Sequence, residues 1–268
     1  MPSRPSGVSQ GDHAVIPALA PLFIADFEHY REVLVLADDP RPGVPLRTLS
    51  SAGYLGPLLT RFGTRYHVPD LRGVASIWSK YYFIKLIPPV VAASLLLDRR
   101  LPLHLDRLHV VLDDEQLPVA FKLPHEGERW APAPADAFQR FDALIEGHLR
   151  PLIDALGGYA GVSPRVLWSN AGNYFEWLLG VLAGAMPGAD LKDGHALLNA
   201  RTTPDGRRNP MYQPVRYMSV DGQSALKRQR RVCCVRYRVD DLPHCENCPL
   251  SASRRNGDAG PHLISTGL

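Results

Sequence analysis

The sequence predicts an α+β chain with a mainly helical body, a small antiparallel sheet, and a C-terminal segment that carries every cysteine. Three observations predict it. Most periodic stretches repeat their apolar residues at helical spacing. One stretch, 107–122, switches to short branched and aromatic runs around a polar turn. No alternation of strands and helices of the βαβ kind is present. The expected division is a polar tail over 1–12, a helical body over 13–200 with a β-hairpin near 107–122, and the cysteine-bearing segment over 201–268, packed on that body.

In chain order, Ile16, Leu19, Leu22, Phe23, Phe27, Tyr30 and Val33 predict an amphipathic helix over Ala14–Ala37, interrupted near Pro21. A proline-rich loop follows from Asp38 to Pro45, then a second helical stretch over Thr48–Arg65. Asp70 is placed to cap a helix through Val74, Ile77, Trp78, Tyr81 and Ile84, and Pro88-Pro89 should end or kink it before a further helix to Leu97. Leu108–Leu112 and Leu117–Phe121 flank the polar turn 113–116. His104 and His109 lie near this hairpin and are not assigned as ligands. Asp136–Leu156 reads as a long helix with a kink at Pro151 and an end at Gly157-Gly158. Ser163-Pro164 starts the next one, with Trp168, Ala171, Phe175, Leu178, Leu179 and Leu182 on one face and Asn170, Asn173 and Trp177 opposite. Those amides are placed to meet a ligand, buried backbone or solvent. Ala189–Ala200 is a final helix, and 201–214 is loop.

Bulk composition excludes several classes. A net charge of +3 over 268 residues carries no global field for nucleic acid. The longest apolar run, Tyr81–Leu97, is interrupted by Lys85 and two prolines, which favours buried helices over a membrane span. The first residues show no apolar leader, so the expected location is the cytoplasm, with at most peripheral association at the inner face of the plasma membrane. There is no P-loop and no dinucleotide-binding glycine fingerprint.

Cys233, Cys234, Cys245 and Cys248 follow the spacing C-C-x10-C-x2-C. Thiols this concentrated act together, holding a metal or a cluster or forming a redox pair. A disulfide pair suits an oxidising compartment. A structural zinc suits the Cys245/Cys248 knuckle, but the adjacent Cys233 and Cys234 diverge along an extended backbone. A [2Fe–2S] cluster offers attachment points further apart. On chemistry alone, zinc and the two-iron cluster both stand. His244 beside Cys245 is read as a bystander or outer neighbour, since four cysteines already complete a ligand set. Lys227, Arg228, Arg230, Arg231, Arg236 and Arg238 surround the first two cysteines without an intervening acid. Such cations can stabilise a reduced anionic cluster, attract an acidic electron donor, or hold an anionic chelate.

The run Arg230–Arg238 followed by Cys245–Leu250 resembles the C-terminal signature of the FhuF family of ferric-siderophore reductases. Ser79–Phe83, Leu167–Ala171 and Asn209–Tyr212 resemble it more diffusely. The resemblance implies a [2Fe–2S] cluster on all four cysteines, a ferric siderophore of hydroxamate type as substrate, and one-electron reduction that releases Fe(II) in the cytoplasm. The helical body would then dock the chelate. It also implies a protein electron donor of ferredoxin or flavoprotein kind. Lys80, Lys85, Asn170, Arg230, Arg231, Arg236 and Arg238 are the candidate contacts to substrate or donor. Two other classes stay open: a zinc-stabilised nucleic-acid-binding module and a redox-sensing iron–sulfur protein. The family also resembles part of the siderophore-synthesising ligases, but the nucleotide-binding region a ligase needs is not found.

Overall fold

The computed structural model describes residues 15–219, 226–239 and 242–250. The tail expected over 1–12 and the residues after Ala252 lie outside them. The class is α+β, with roughly half the chain helical.

The helix expected over Ala14–Ala37 does not form. Two 3₁₀ turns, Pro17–Leu22 and Ala25–Tyr30, lead into strand β1, Leu34–Leu36. Ile16, Leu19 and Leu22 are three residues apart, which is the 3₁₀ period, and all three are buried. Ala25, at φ 47°, breaks the run between the turns. The spacing therefore identified the buried residues but not the helix type.

After β2, Val44–Pro45, come α1, Leu46–Leu49, and α2, Ala52–Gly63. The central element is α3, Leu71–Leu96, capped by the Asp70 carboxylate, which accepts from the Arg72 N–H at 2.9 Å. Contrary to expectation, α3 runs unbroken through Pro88-Pro89. Pro88 has no N–H to give to the Ile84 carbonyl. The Tyr30 hydroxyl donates to that carbonyl instead, at 3.1 Å. The missing helix bond is replaced from another element, and the rings pack in the core.

Next come β3, Arg99–Arg100; β4, His109–Leu112; β5, Pro118–Leu123; and β6, Glu128–Arg129. The expected hairpin is the β4–β5 pair, held by Asp113 Oδ1, which accepts from the N–H groups of Glu115 and Leu117. The sheet around it is mixed and not purely antiparallel: its order is β1-β5-β4-β2, with β1 parallel to β5. β3 and β6 form a separate pair.

Helix α4, Ala137–Leu144, continues through one π turn, Ile145–Leu149, into α5, Arg150–Ala160. The expected end at Gly157-Gly158 is passed, and Gly161, at φ 64°, closes the helix instead. α6, Pro164–Ala185, and α7, Lys192–Asn199, complete the body. α3 packs along α6, with α2, α5 and β5 at its other sides. The chain then forms the antiparallel pair β7, Val215–Met218, and β8, Lys227–Arg230, ahead of the cysteines. No helix among the described residues is long and apolar enough to cross a membrane.

The π turn places His148 in the core, fully buried. Its Nδ1–H donates to the Leu103 carbonyl at 2.9 Å, and Nε2 accepts from the Tyr82 hydroxyl at 2.7 Å. Burial pushes its pKa down to about 4. The folded protein thus holds His148 neutral, and stability is present above the unfolded value near 6.5 and lost as pH falls from there toward 4. Equilibrium urea unfolding between pH 7 and pH 4.5 is expected to show a loss of about 1.4 kcal/mol per unit from this residue. His148→Phe should flatten that part of the profile, and an unchanged slope would remove His148 as its source.

Candidate metal centre

The cysteine segment is seated on α3 and α6 by polar anchors. β8 ends at Arg230, whose N–H donates to the Asn247 carbonyl at 2.9 Å, so the two cysteine-bearing stretches lie side by side. The Cys248 N–H donates to the Cys245 carbonyl at 3.0 Å and closes the knuckle. Val235 sits at φ 50° and turns the chain into a 3₁₀ turn, Arg236–Arg238. The Val235 N–H points to Cys233 Sγ at 3.4 Å. Ser76 of α3 donates to the Cys234 carbonyl at 2.6 Å.

These anchors bring the four thiols together. Cys234 and Cys248 are buried, Cys233 and Cys245 half-buried, and none of the four is in a disulfide. Cys234 Sγ and Cys245 Sγ are 3.7 Å apart, and the thiol of Cys248 hydrogen-bonds that of Cys233. The sulfurs therefore form two pairs. Two thiolates on one tetrahedral metal with bonds of ~2.3 Å would stand ~3.8 Å apart. Among the described residues, no three His, Cys, Asp or Glu side chains meet around a single point.

The surroundings favour anions. Lys80 Nζ donates to Cys234 Sγ at 3.2 Å. The hydrogen bond from Cys245, then the charges of Lys80 and Arg230, push the Cys234 thiol down to about 4. Cys245 is pushed up, first by that shared hydrogen bond and then by burial. Burial likewise raises Cys233.

Arg230 is the most telling residue. It is 1% exposed. Its Nη2 donates to Asn170 Oδ1 at 2.5 Å and Ser169 Oγ at 3.1 Å, and its Nε has no partner. Among the described residues no carboxylate pairs with it. A buried, unpaired charge costs several kcal/mol, so an anion at the thiols would stabilise this arrangement. Soft donors in two pairs, ringed by cations and beside an orphaned guanidinium nitrogen, fit thiolate-bound metal, and the pairing fits two irons better than one zinc.

The other candidate residues are spread around this site. Asn170 is fully buried and not at the surface: its amide donates to the Ser76 carbonyl and to the hydroxyls of Ser76 and Ser79. α6 is covered on that side by α3, so its polar stripe faces a neighbour. Arg238 pairs with Asp70 at 3.0 Å, which ties the segment to the start of α3. Arg236 is half-buried with an unpartnered Nε. Arg231 points elsewhere, donating to Gln213 Oε1 at 2.7 Å. Lys85 makes no hydrogen bond or ion pair among the described residues. His244 lies against the Tyr237 ring. Asn173, the other amide of that stripe, accepts from Asn247 and Arg228, whereas the roles of Ser76 and Ser79 were missed by sequence reasoning. The serines are polar interruptions in an apolar stretch of α3, a signal that each needs a buried partner.

Gly73 marks the closest approach of segment and helix. A Cβ there would stand 2.8 Å from Val239 Cγ2 and 3.2 Å from Arg238 Cβ. Gly73→Ala is expected to destabilise the seated segment by about 1–3 kcal/mol. Limited proteolysis beyond residue 226, read against the melting of the whole protein, should show the segment loosening first. Equal protection in variant and parent would contradict this close fit.

The family model described as "Ferric iron reductase FhuF-like transporter" matches residues 76–225, more than half of the chain, and the chain belongs to that family. The match begins within α3, runs past β7 and ends before the cysteines. The protein named "Ferric siderophore reductase" of Escherichia coli (strain K12) is 26% identical over 246 residues, covering 87% of this chain and 91% of that protein.

Proposed function

We propose that Cys233, Cys234, Cys245 and Cys248 hold a [2Fe–2S] cluster and that the protein reduces ferric siderophores by one electron, releasing Fe(II) in the cytoplasm. The observation that carries this reading is the convergence of four thiols in two pairs, with Lys80 and the buried Arg230 against them. Family membership and the relative's name support the substrate class.

Such a cluster, when bound, supplies electrons one at a time. The chain's own residues set the conditions. Cys234 and Cys245 would share one iron, Cys233 and Cys248 the other. Lys80 and Arg230 stabilise the extra negative charge of the reduced form and so raise its potential. Ser76 and Asn247 hold the two cysteine stretches in register. Fe(III) needs hard oxygen donors, and Fe(II) is held far less well by them, so no acid, base or nucleophile is required. The hydroxamate type rests on the resemblance alone. Electrons come from a partner protein, for which exposed Tyr237 and the neighbouring Arg236 and Arg238 offer a docking edge.

The zinc-stabilised nucleic-acid module finds little support in the basic run. Arg228 is paired with Glu176, Arg230 is buried and Arg238 is paired with Asp70, so these charges are engaged within the protein. A visible spectrum of anaerobically purified protein, with iron, sulfide and zinc counted on the same sample, tests the reading. About two irons and two sulfides per chain are expected. One zinc in a colourless protein would contradict it.

A further inference from the structure

Beside the cysteine strand lies a cavity of about 370 Å³, within the size range of small-ligand sites. Trp168 and Tyr212 line it with apolar and aromatic surface, and Arg165, Arg208 and Arg231 bring three guanidinium groups to it. No carboxylate lines it. Among the described residues none of the three arginines pairs with an acid. The contrast is with the cavity of about 530 Å³ near α4, where Arg140 is paired with Asp98 and Asp193, and Arg207 with Asp205.

The smaller cavity also touches the thiol site. Val232 lines it, and the next residue is Cys233. Ser169, another wall residue, bonds both the Val232 carbonyl, at 3.4 Å, and Arg230, at 3.1 Å. A group held here is separated from the first cysteine by one short stretch of backbone.

We propose that this cavity docks the ferric chelate and selects chelates of net negative charge. The proposal rests on the reductase reading given above. Guanidinium groups bind carboxylate or phenolate oxygens in paired hydrogen bonds, and Trp168 and Tyr212 cover the apolar parts of the chelator. A neutral trihydroxamate would leave the charges of Arg165 and Arg208 unanswered, while Arg231 already donates to Gln213 Oε1. With a cluster held by the four cysteines and recharged by a one-electron donor protein, one electron would pass from it to Fe(III). The chelate becomes one unit more negative, its Fe–O bonds then dissociate, and no bond forms to the protein.

Gallium(III) replaces Fe(III) in such chelates without accepting an electron, so binding can be measured apart from reduction. Calorimetric titration of the full chain is expected to show a gallium chelate with free carboxylates, or a gallium tris-catecholate, binding at least about tenfold more tightly than a neutral gallium trihydroxamate, with a steep loss on adding salt. The tighter of the two anions assigns the charge to carboxylate or catecholate. Arg165→Gln/Arg208→Gln, which removes two exposed side chains outside the thiol site, should weaken the anionic chelates about 30-fold and the neutral one by less than about twofold. Equal affinity for neutral and anionic chelates, or anion binding indifferent to the double variant, would overturn the proposal even if iron chelates are still reduced. Arginine-dependent binding without reduction of the iron form would instead leave the docking site standing and remove the reductase reading.

Discussion

Cys245→Ser is expected to give a folded, colourless protein whose reduction of ferric chelates falls at least about 100-fold, to the rate of free dithiol. The half-buried contact with Cys234, at 3.7 Å, is lost with the thiol, and serine is a hard donor that holds iron–sulfur units poorly. The body should survive because its core lies elsewhere, among Trp78, Tyr82, Phe121 and Phe175 on α3, β5 and α6. Far-ultraviolet dichroism separates loss of the site from loss of the fold. A variant that keeps its colour and its rate would show that Cys245 is not a ligand.

The second large effect is expected at Arg230. In metal-free protein its guanidinium is buried without a carboxylate partner, and the Cys234 thiol, which Lys80 and Arg230 push down, is the one anionic sulfur beside it, Cys233 and Cys245 being pushed up. Loading the site adds thiolate charge next to this guanidinium, so metal should stabilise the parent protein strongly. Arg230→Met removes the charge that the metal-free form satisfies only in part. The gain on loading should therefore shrink by about 2 kcal/mol, or about 4–8 °C in melting temperature for a chain of this size. The midpoint potential of the loaded variant should fall, because a cation next to the reduced site is gone. Arg230→Lys should restore part of both effects. An unchanged stability gap with an unchanged potential would show that Arg230 is compensated in some other way.

Much of the architecture was legible because amphipathic helices and hairpins write their period into the chain. The buried face of α6 and the β4–β5 turn were read from residues a few positions apart. The errors have a common cause in tertiary partners. Pro88-Pro89 should break a helix, but the Tyr30 hydroxyl, 54 positions away, fills the gap at the Ile84 carbonyl. Ile16, Leu19 and Leu22 fit a 3₁₀ turn as well as an α-helix, and only the pairing of β1 with β5 decides how the segment ends. Asn170 stays open in the sequence between ligand, buried backbone and solvent because a helical wheel supposes one buried face, whereas α6 is buried on two and the amide meets the Ser76 carbonyl.

The candidate site divides in the same way. The cysteine spacing is local and was visible at once. The Lys80–Cys234 contact spans 154 positions, and the Arg230–Asn170 contact spans 60. No pattern in the chain reports these pairings. Arg165, Trp168, Arg208 and Tyr212 gather at one cavity from two separate stretches, and each alone reads as an ordinary loop or helix residue.

Passage of one electron from the thiol site to a ferric chelate can be read in a single turnover. The anaerobic protein, reduced by one electron and freed of reductant, is mixed with a ferric siderophore in the presence of a coloured Fe(II) trap. About one trapped Fe(II) per chain is expected, appearing in step with reoxidation of the protein's visible spectrum. A spectrum that stays reduced while no Fe(II) appears, or Fe(II) that appears equally with Cys245→Ser, would contradict it.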